Sequence, residues 1–516
     1  MNELKLSQWI ETAEKLKPKL NETIIVPVAI VQAFPDSDPF RRWKLVSEGC
    51  SQDLEDYLMT DGDSVILDFG NHLTGHFSIA VRGEGRGVDS PARLKMTFGE
   101  IAAEVIEPFD PYQGGLSRAW LQDETVNIDV LPSVVKLPRR YSFRYVKIEV
   151  VAVSPNFKLR LSRTEVVSVT SAGGEPDPLP MNVSETIRRI DEVSIHTLRE
   201  CMQTVFEDGP KRDRRLWIGD LRLQALANYA TFRNFDLVKR CLYLFAGLPR
   251  EDGLLAACIY EQPNPVTGQE HILDYAALYG ATLLEYGQAS DDWITVQDLW
   301  IVVKRQMEIL CQYIDKNGLF CAPPKAWVFI DWCERLDRTA TMHAVYVFAL
   351  RQARELAERI GTEAEVIDFD RQIEETVIAA RNAYFDTEKN LFVSGPNRQV
   401  SWATQAWMVI SGIASRSEGR TALKLVHNLT DAVRPGAPYL YHYVIEALLI
   451  CDMNVEAKAL LESYWGSMVD HGADTFWEVY DPQVSRLSPY GNYLINSYCH
   501  AWSCTPTYLI RSCGLQ

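Results

Sequence analysis

Ser171-Ala-Gly-Gly-Glu-Pro-Asp-Pro-Leu-Pro180 separates two stretches of different hydrophobic period. Three prolines and two glycines in ten residues leave gaps in any backbone hydrogen-bond ladder, so neither a strand nor a helix runs through. On its N-terminal side the apolar residues alternate. Val65, Leu67 and Phe69 fall on one face, as do Phe77, Ile79 and Val81, and then Leu94, Met96 and Phe98. Turn-rich pieces such as Arg82-Gly-Glu-Gly-Arg-Gly87 stand between them. Short alternating runs with this punctuation predict an antiparallel β-sandwich. A short amphipathic helix is expected ahead of it, from Leu6 to Leu16, resting on the sandwich or on a second copy in a homodimer.

Beyond Pro180 the period becomes helical. Asn182 and Glu185 have the spacing of a capping box, followed by Ile187, Ile190 and Leu198. Leu299, Val303, Met307, Leu310 and Ile314 step by threes and fours, the stripe of a surface helix. Similar stripes run from His343 to Glu358, Glu365 to Ala383, Trp402 to Ser411 and Tyr441 to Trp465. About a dozen helices are expected, a number that suits a closed double ring. No internal repeat points to a solenoid. The expected division is a β domain with the short helix over 1–175 and a helical domain over 181–516.

The 516 residues are 47% apolar and 23% charged, a composition that folds into two or three domains. A net charge of -17 argues against a nucleic-acid partner. Eleven scattered cysteines without metal-ligand spacing suggest reduced thiols, a cytoplasmic setting and no bound metal. The first ten residues lack the basic head and apolar core of a signal peptide, and no run is long enough to span a membrane.

Two segments carry candidate chemistry. Asp208-Gly-Pro-Lys-Arg212-Asp213-Arg-Arg-Leu-Trp217-Ile-Gly-Asp220 gathers three carboxylates, arginines and a tryptophan. On a helix, Asp213 and Asp220 would share a face. Neighbouring carboxylates raise each other's proton affinity, and Arg212 opposes that for any it touches. By residue type alone the run also fits a solvated charged loop. Downstream, Gly472-Ala-Asp474-Thr-Phe-Trp477-Glu478 sets a carboxylate among aromatics, which suits a general base. Two carboxyl groups in an aromatic cleft are what glycosidic hydrolysis requires, without a cofactor. His500, in Ser497-Tyr-Cys-His500-Ala-Trp502, fits a core histidine or, with Tyr498, the base of a lyase. Trp327, Trp332 and Trp402 suit sugar-stacking platforms or core aromatics.

Both segments resemble the signature regions of bacterial α-L-rhamnosidases, glycoside hydrolase family 78. That family shows Asp-Cys-Pro-x-Arg-Glu-x-x-Gly-Trp-x-Gly-Asp and a later Gly-Ala-x-Thr-x-Trp-Glu. The match holds at Asp208, Pro210, Arg212, Trp217, Gly219 and Asp220, and again at Gly472, Ala473, Thr475, Trp477 and Glu478. The resemblance covers essentially the whole chain. It implies a β-sandwich followed by an (α/α)6 barrel, and an inverting hydrolase of small rhamnosides or short rhamnose-containing oligosaccharides. It places the general acid at Asp213, where the family has Glu, and the general base at Glu478. Asp208, Arg212, Trp217, Asp220, Trp332 and His500 fall at sugar-contacting positions. An alternative alignment puts Arg214 in the acid's place, so that Asp220 or Asp213 must donate the proton or activity is lost. The shortened acid also leaves open a sugar-binding protein with a decayed site, and the architecture leaves open another sugar.

Overall fold

The computed structural model describes residues 3–89 and 91–516; Met1 and Asn2, which belong to the leader reading, and Ser90 lie outside them. The β domain contains β1 (Asn21–Ile25), β2 (Ala29–Pro35), β3 (Trp43–Cys50), β4 (Ser64–Gly85), β5 (Ala92–Gly99), β6 (Asp123–Ile128), β7 (Ser133–Lys136), β8 (Tyr141–Ala152) and β9 (Phe157–Thr170). Hydrogen bonding joins them into one nine-stranded antiparallel sheet. It becomes two layers because β4 serves both. Its first half pairs with β2 and β8, and its second half with β9 and β7. The register slips between Asp68 and Leu73. At Gly75 a Cβ would stand 2.4 Å from the Val167 carbonyl oxygen, so only glycine allows the strands to approach there. Val65 and Leu67 from one half, and Phe77 and Ile79 from the other, meet Met96, Ile148 and Leu161 in one core. That shared core is the sandwich expected from the alternation.

Residues 171–184 form neither helix nor strand. The helices, counted from the N-terminus, are α1 (Glu3–Lys15), α2 (Ala102–Ile106) within the β domain, α3 (Glu185–Cys201), α4 (Ile218–Ala230), α5 (Phe235–Gly247), α6 (Leu273–Ser290), α7 (Trp293–Leu310) and α8 (Thr339–Ile360). There follow α9 (Phe369–Tyr384), α10 (Trp402–Ile410), α11 (Arg416–Asn428), α12 (Pro438–Ile450), α13 (Asn454–Asp470) and α14 (Pro506–Arg511). Two local expectations change. The cap of α3 is Ser184, whose hydroxyl accepts from Ile187 N–H, rather than Asn182. The stripe from Tyr441 to Trp465 is two helices, because the chain turns at Cys451–Met453, with Asp452 at φ 54°.

Contacts run from α4 to α6, α8, α10 and α12, and return to α4 through the single-turn 3-10 helix Ala501–Ser503. The intervening helices lie outside this circuit, α7 against α6 and α8, α9 on α8, α11 on α10, and α3 against α13 and α14. One outer helix returns the chain before each new inner one, so the inner helices are entered from a common end. The connecting segments 202–217, 258–272, 327–338, 430–437 and 472–505 therefore gather there. Among the described residues, no helix is long and apolar enough to cross a membrane, and no group of three or more His, Cys, Asp or Glu could hold a metal ion.

The N-terminal helix departs from its expected neighbours: α1 packs on α5 of the helical domain. Ile10 fits where Gly247 has no side chain, since a Cβ there would lie 2.6 Å from Ile10 Cδ1. Trp9 is buried and its indole N–H donates to Asp298 on α7 at 2.7 Å. Arg240 on α5 donates to the Ala13 carbonyl. Trp9→Ala is expected to cost about 3–5 kcal/mol, as deletion of a core tryptophan does. Thermal melting should begin several degrees earlier, with kcat and KM unchanged. A melting curve that overlays the wild type would show that α1 does not contribute to the cooperative core.

Candidate active site

The run 208–220 is a loop, a two-residue strand (Leu216–Trp217) and the start of α4. Asp213 and Asp220 therefore do not share a helix face. The chain is diverted by Asp208, whose Oδ2 accepts from Asp213 N–H and Oδ1 from Arg215 N–H, both at 3.0 Å. Gly209 permits the tight fold, because a Cβ there would stand 2.4 Å from the Arg212 carbonyl. The Asp208 backbone carbonyl in turn accepts from Ala501 N–H at 2.7 Å. Burial, and then the charges of Asp213 and Asp220, push Asp208 up to about 7 against the pull of His500.

Arg212 joins the two signature segments. Its Nε donates to the Ile495 carbonyl at 2.5 Å and its guanidinium donates to Glu478 Oε2. The same guanidinium lies 4.3 Å from the Tyr490 ring centre, and its other terminal nitrogen is 3.9 Å from Asp213 Oδ1. Glu478 is buried, with Tyr490 O–H donating to Oε1 at 2.5 Å and Ser497 N–H to Oε2 at 3.4 Å. Burial alone would raise its pKa. Arg212, then His500 and the Tyr490 hydrogen bond, outweigh that and hold the carboxyl below its usual range.

Asp213 is the accessible carboxyl of the set, its side chain 20% exposed against 3% for Asp220 and 2% for Glu478. It stands between Arg212 and Arg215, the latter at 3.6 Å. Arg215 lies over the Tyr260 ring at 4.2 Å. Tyr260 belongs to a hairpin, Cys258–Tyr260 with Val266–Thr267, that pairs with Leu216–Trp217 and fixes Trp217 beside the loop. His500 Nε2 is 3.3 Å from Asp220 Oδ1, yet both His500 nitrogens and this oxygen lack a hydrogen-bond partner. Burial opposes the charging of His500, but Asp220 and Glu478 raise its pKa above the ordinary value. The Trp332 ring stands 5.9 Å from Tyr490, and its indole N–H is also unpartnered. A cavity of about 800 Å³ lined by Trp332, Arg434, Asp481 and Ser488 lies beside the turn that carries Tyr490; neither Asp213 nor Glu478 lines it.

Other residues singled out in the sequence lie elsewhere. Trp477 is buried among Phe40, Tyr480 and Tyr498, with ring centres 5.5–6.5 Å away, so it is a core aromatic. Trp402 rests on His427 at 5.1 Å, and Trp327 bridges to Ile272. Arg214 donates to the Arg140 carbonyl at 2.8 Å and to the Lys211 carbonyl at 3.1 Å. Those bonds direct it into the β domain. Glu261, in the segment that follows the Cys258–Tyr260 strand, pairs internally with Arg240 at 2.8 Å. Tyr490 was not anticipated. It sits in the turn Ser488-Pro-Tyr-Gly491, and nothing in that run signals that its hydroxyl reaches a carboxylate twelve residues upstream.

Residues 27–168 match the model of the glycosyl hydrolase family 78 alpha-rhamnosidase N-terminal domain. Residues 183–513 match that of the bacterial alpha-L-rhamnosidase 6 hairpin glycosidase domain. No curated protein sequence matches the chain. Among solved structures, a rhamnosidase from Klebsiella oxytoca with rhamnose bound is 43% identical, with a TM-score of 0.96, and the match covers 98% of this chain and 99% of that one. The family 78 rhamnosidase of Bacillus sp. GL1 shares the fold at 20% identity and a TM-score of 0.76, over 92% of this chain and 50% of its own. The Streptomyces avermitilis alpha-L-rhamnosidase, complexed with L-rhamnose, does so at 13% identity and 0.69, over 96% and 44%.

Proposed function

The chain belongs to the α-L-rhamnosidases of glycoside hydrolase family 78, and from that premise we propose that it releases terminal α-L-rhamnose from small rhamnosides by single displacement with inversion. The observation that carries this reading is the guanidinium of Arg212 between two unlike carboxyls. One, Asp213, is accessible; the other, Glu478, is buried and held ionised. Asp213 donates its proton to the glycosidic oxygen as the bond to the sugar breaks. Glu478 takes a proton from a water that attacks the opposite face of the ring. An inverting pair stands about 6.5–9.5 Å apart to admit that water, whereas a retaining pair stands about 5–5.5 Å apart. Separate guanidinium nitrogens of Arg212 face the two carboxyls.

The remaining roles follow from available atoms. His500 and Asp220, paired at 3.3 Å, offer polar atoms to sugar hydroxyls, and Trp217 and Trp332 offer apolar faces. Asp208 has both oxygens occupied by backbone N–H groups, so it shapes the loop that presents Asp213. The rhamnose in the Klebsiella oxytoca relative supports the choice of sugar. The test is the anomer formed first. Proton NMR during hydrolysis of 4-nitrophenyl α-L-rhamnoside should show β-L-rhamnose before mutarotation. The α anomer appearing first would exclude single displacement.

A further inference from the structure

Glu100 directly follows β5 in the β domain, yet its carboxylate touches both halves of the catalytic site. Its Oε2 accepts from Tyr498 N–H at 2.7 Å and lies 3.0 Å from Lys211 Nζ. Its Oε1 meets His72 Nε2 at 3.1 Å and Ser142 Oγ at 3.2 Å. Glu104 on α2 takes a second contact from Lys211 at 2.9 Å, and Glu200 stands behind His72 at 3.9 Å. The side chains of Glu100, His72 and Lys211 are completely buried.

These contacts repeat those of the proposed base one residue along. Lys211 pairs with Glu100, and the next residue, Arg212, pairs with Glu478. Ser497 N–H donates to Glu478, and the next N–H, of Tyr498, donates to Glu100. Two carboxylates thus tie the same pair of segments, 211–212 and 497–498, one from each domain. Each link is charge-assisted and sheltered from water.

We propose that Glu100 is a positioning residue for catalysis, fixing from the β domain the register of the two segments that grip Glu478. This rests on the reading of Glu478 as the base. Around Glu478 the charged or titratable neighbours are Arg212, Tyr490, His500 and Asp220; around Glu100 they are Lys211, Glu104 and His72. Loss of register lengthens the contacts that favour ionised Glu478, and the acidic limb of activity then moves to higher pH. A displacement of an ångström at the reacting groups also costs as much as about a hundredfold in rate.

The experiment compares Glu100→Gln with Trp9→Ala, which lowers stability without touching these segments, at temperatures where both are folded. Glu100→Gln should lower kcat on 4-nitrophenyl α-L-rhamnoside by about tenfold or more. The acidic limb of kcat/KM should shift upward, with KM within about threefold of wild type. Trp9→Ala should show neither change. A folded Glu100→Gln with the kcat and pH profile of wild type, or with changes matched by Trp9→Ala, overturns the proposal. If that variant does not accumulate folded, Glu100→Asp keeps the charge beside Lys211 and His72 but draws the carboxylate back by one methylene from Tyr498 N–H. The same outcomes then decide. Failure of Glu478 as base is separate, because it would show as an active Glu478→Gln enzyme.

Discussion

Glu478→Gln is expected to lose kcat by about 10²–10⁴-fold on every α-L-rhamnoside, whatever its leaving group. Asp213→Asn should instead lose activity in proportion to how poor that leaving group is. Nitrophenolate departs readily without a proton, so 4-nitrophenyl α-L-rhamnoside should lose only about tenfold in this variant. A rhamnosyl glucoside, whose alkoxide must be protonated as it leaves, should lose about a thousandfold. The contrast assigns roles rather than mere importance. A general base acts on water, so its loss is blind to the leaving group; a general acid acts on the leaving oxygen. Equal losses on both substrates in Asp213→Asn would move the proton donor to Asp220 or Asp208. Intact turnover in Glu478→Gln would remove the base assignment altogether.

Arg212→Met should combine a catalytic loss with a stability loss that depends on pH. Deleting one member of a buried ion pair costs about 3–5 kcal/mol, because the other charge is stranded. In the wild type Glu478 has a lowered pKa, so its contribution to stability is present above the unfolded value and disappears as pH falls through the folded one. Without Arg212, only His500 and the hydrogen bonds from Tyr490 and Ser497 oppose the burial of Glu478, and its pKa rises. Stability of the variant then declines as pH climbs from the unfolded value towards that raised one. The gap in melting temperature between wild type and variant should be narrow near pH 4 and wide near pH 7–8. Arg212→Met combined with Glu478→Gln should recover much of the gap, since no charge is left unpaired. A gap that does not change with pH would mean that the pair contributes shape rather than charge.

The change of period at 171–180 made the two-part fold legible, because burial of one strand face or one helix stripe is a local rule. Closure of the helical circuit was not local: α4 meets the 3-10 turn at Ala501–Ser503 almost three hundred residues downstream. The candidate acid, base and Arg212 were legible as residue types in two runs. That Arg212 and Glu478 touch, 266 residues apart, depends on the whole ring. The capping hydroxyl was misplaced by two residues because Ser184 and Asn182 are both good caps. Reading a helix face through Asp213 and Asp220 failed because Asp208 binds two backbone N–H groups and folds the chain into a loop. The part played by Glu100 was invisible for a different reason. A lone acidic residue after an apolar strand has no partner until the other domain is built.

The seating of α1 has a consequence for the order of synthesis. Trp9 bonds to a carboxylate 289 residues later in the chain. At roughly 5–20 residues per second, the ribosome takes about 15–60 seconds to deliver that partner. Meanwhile the whole β domain emerges and its strands find one another, while the first helix has no docking surface. Its apolar stripe of Leu6, Trp9, Ile10 and Ala13 waits in the open until α5 and α7 exist. A nascent chain stalled before α7 should therefore display that stripe to trigger-type holding chaperones, and a chain released after α7 should not. Residues made before the β domain are among the last to reach their place.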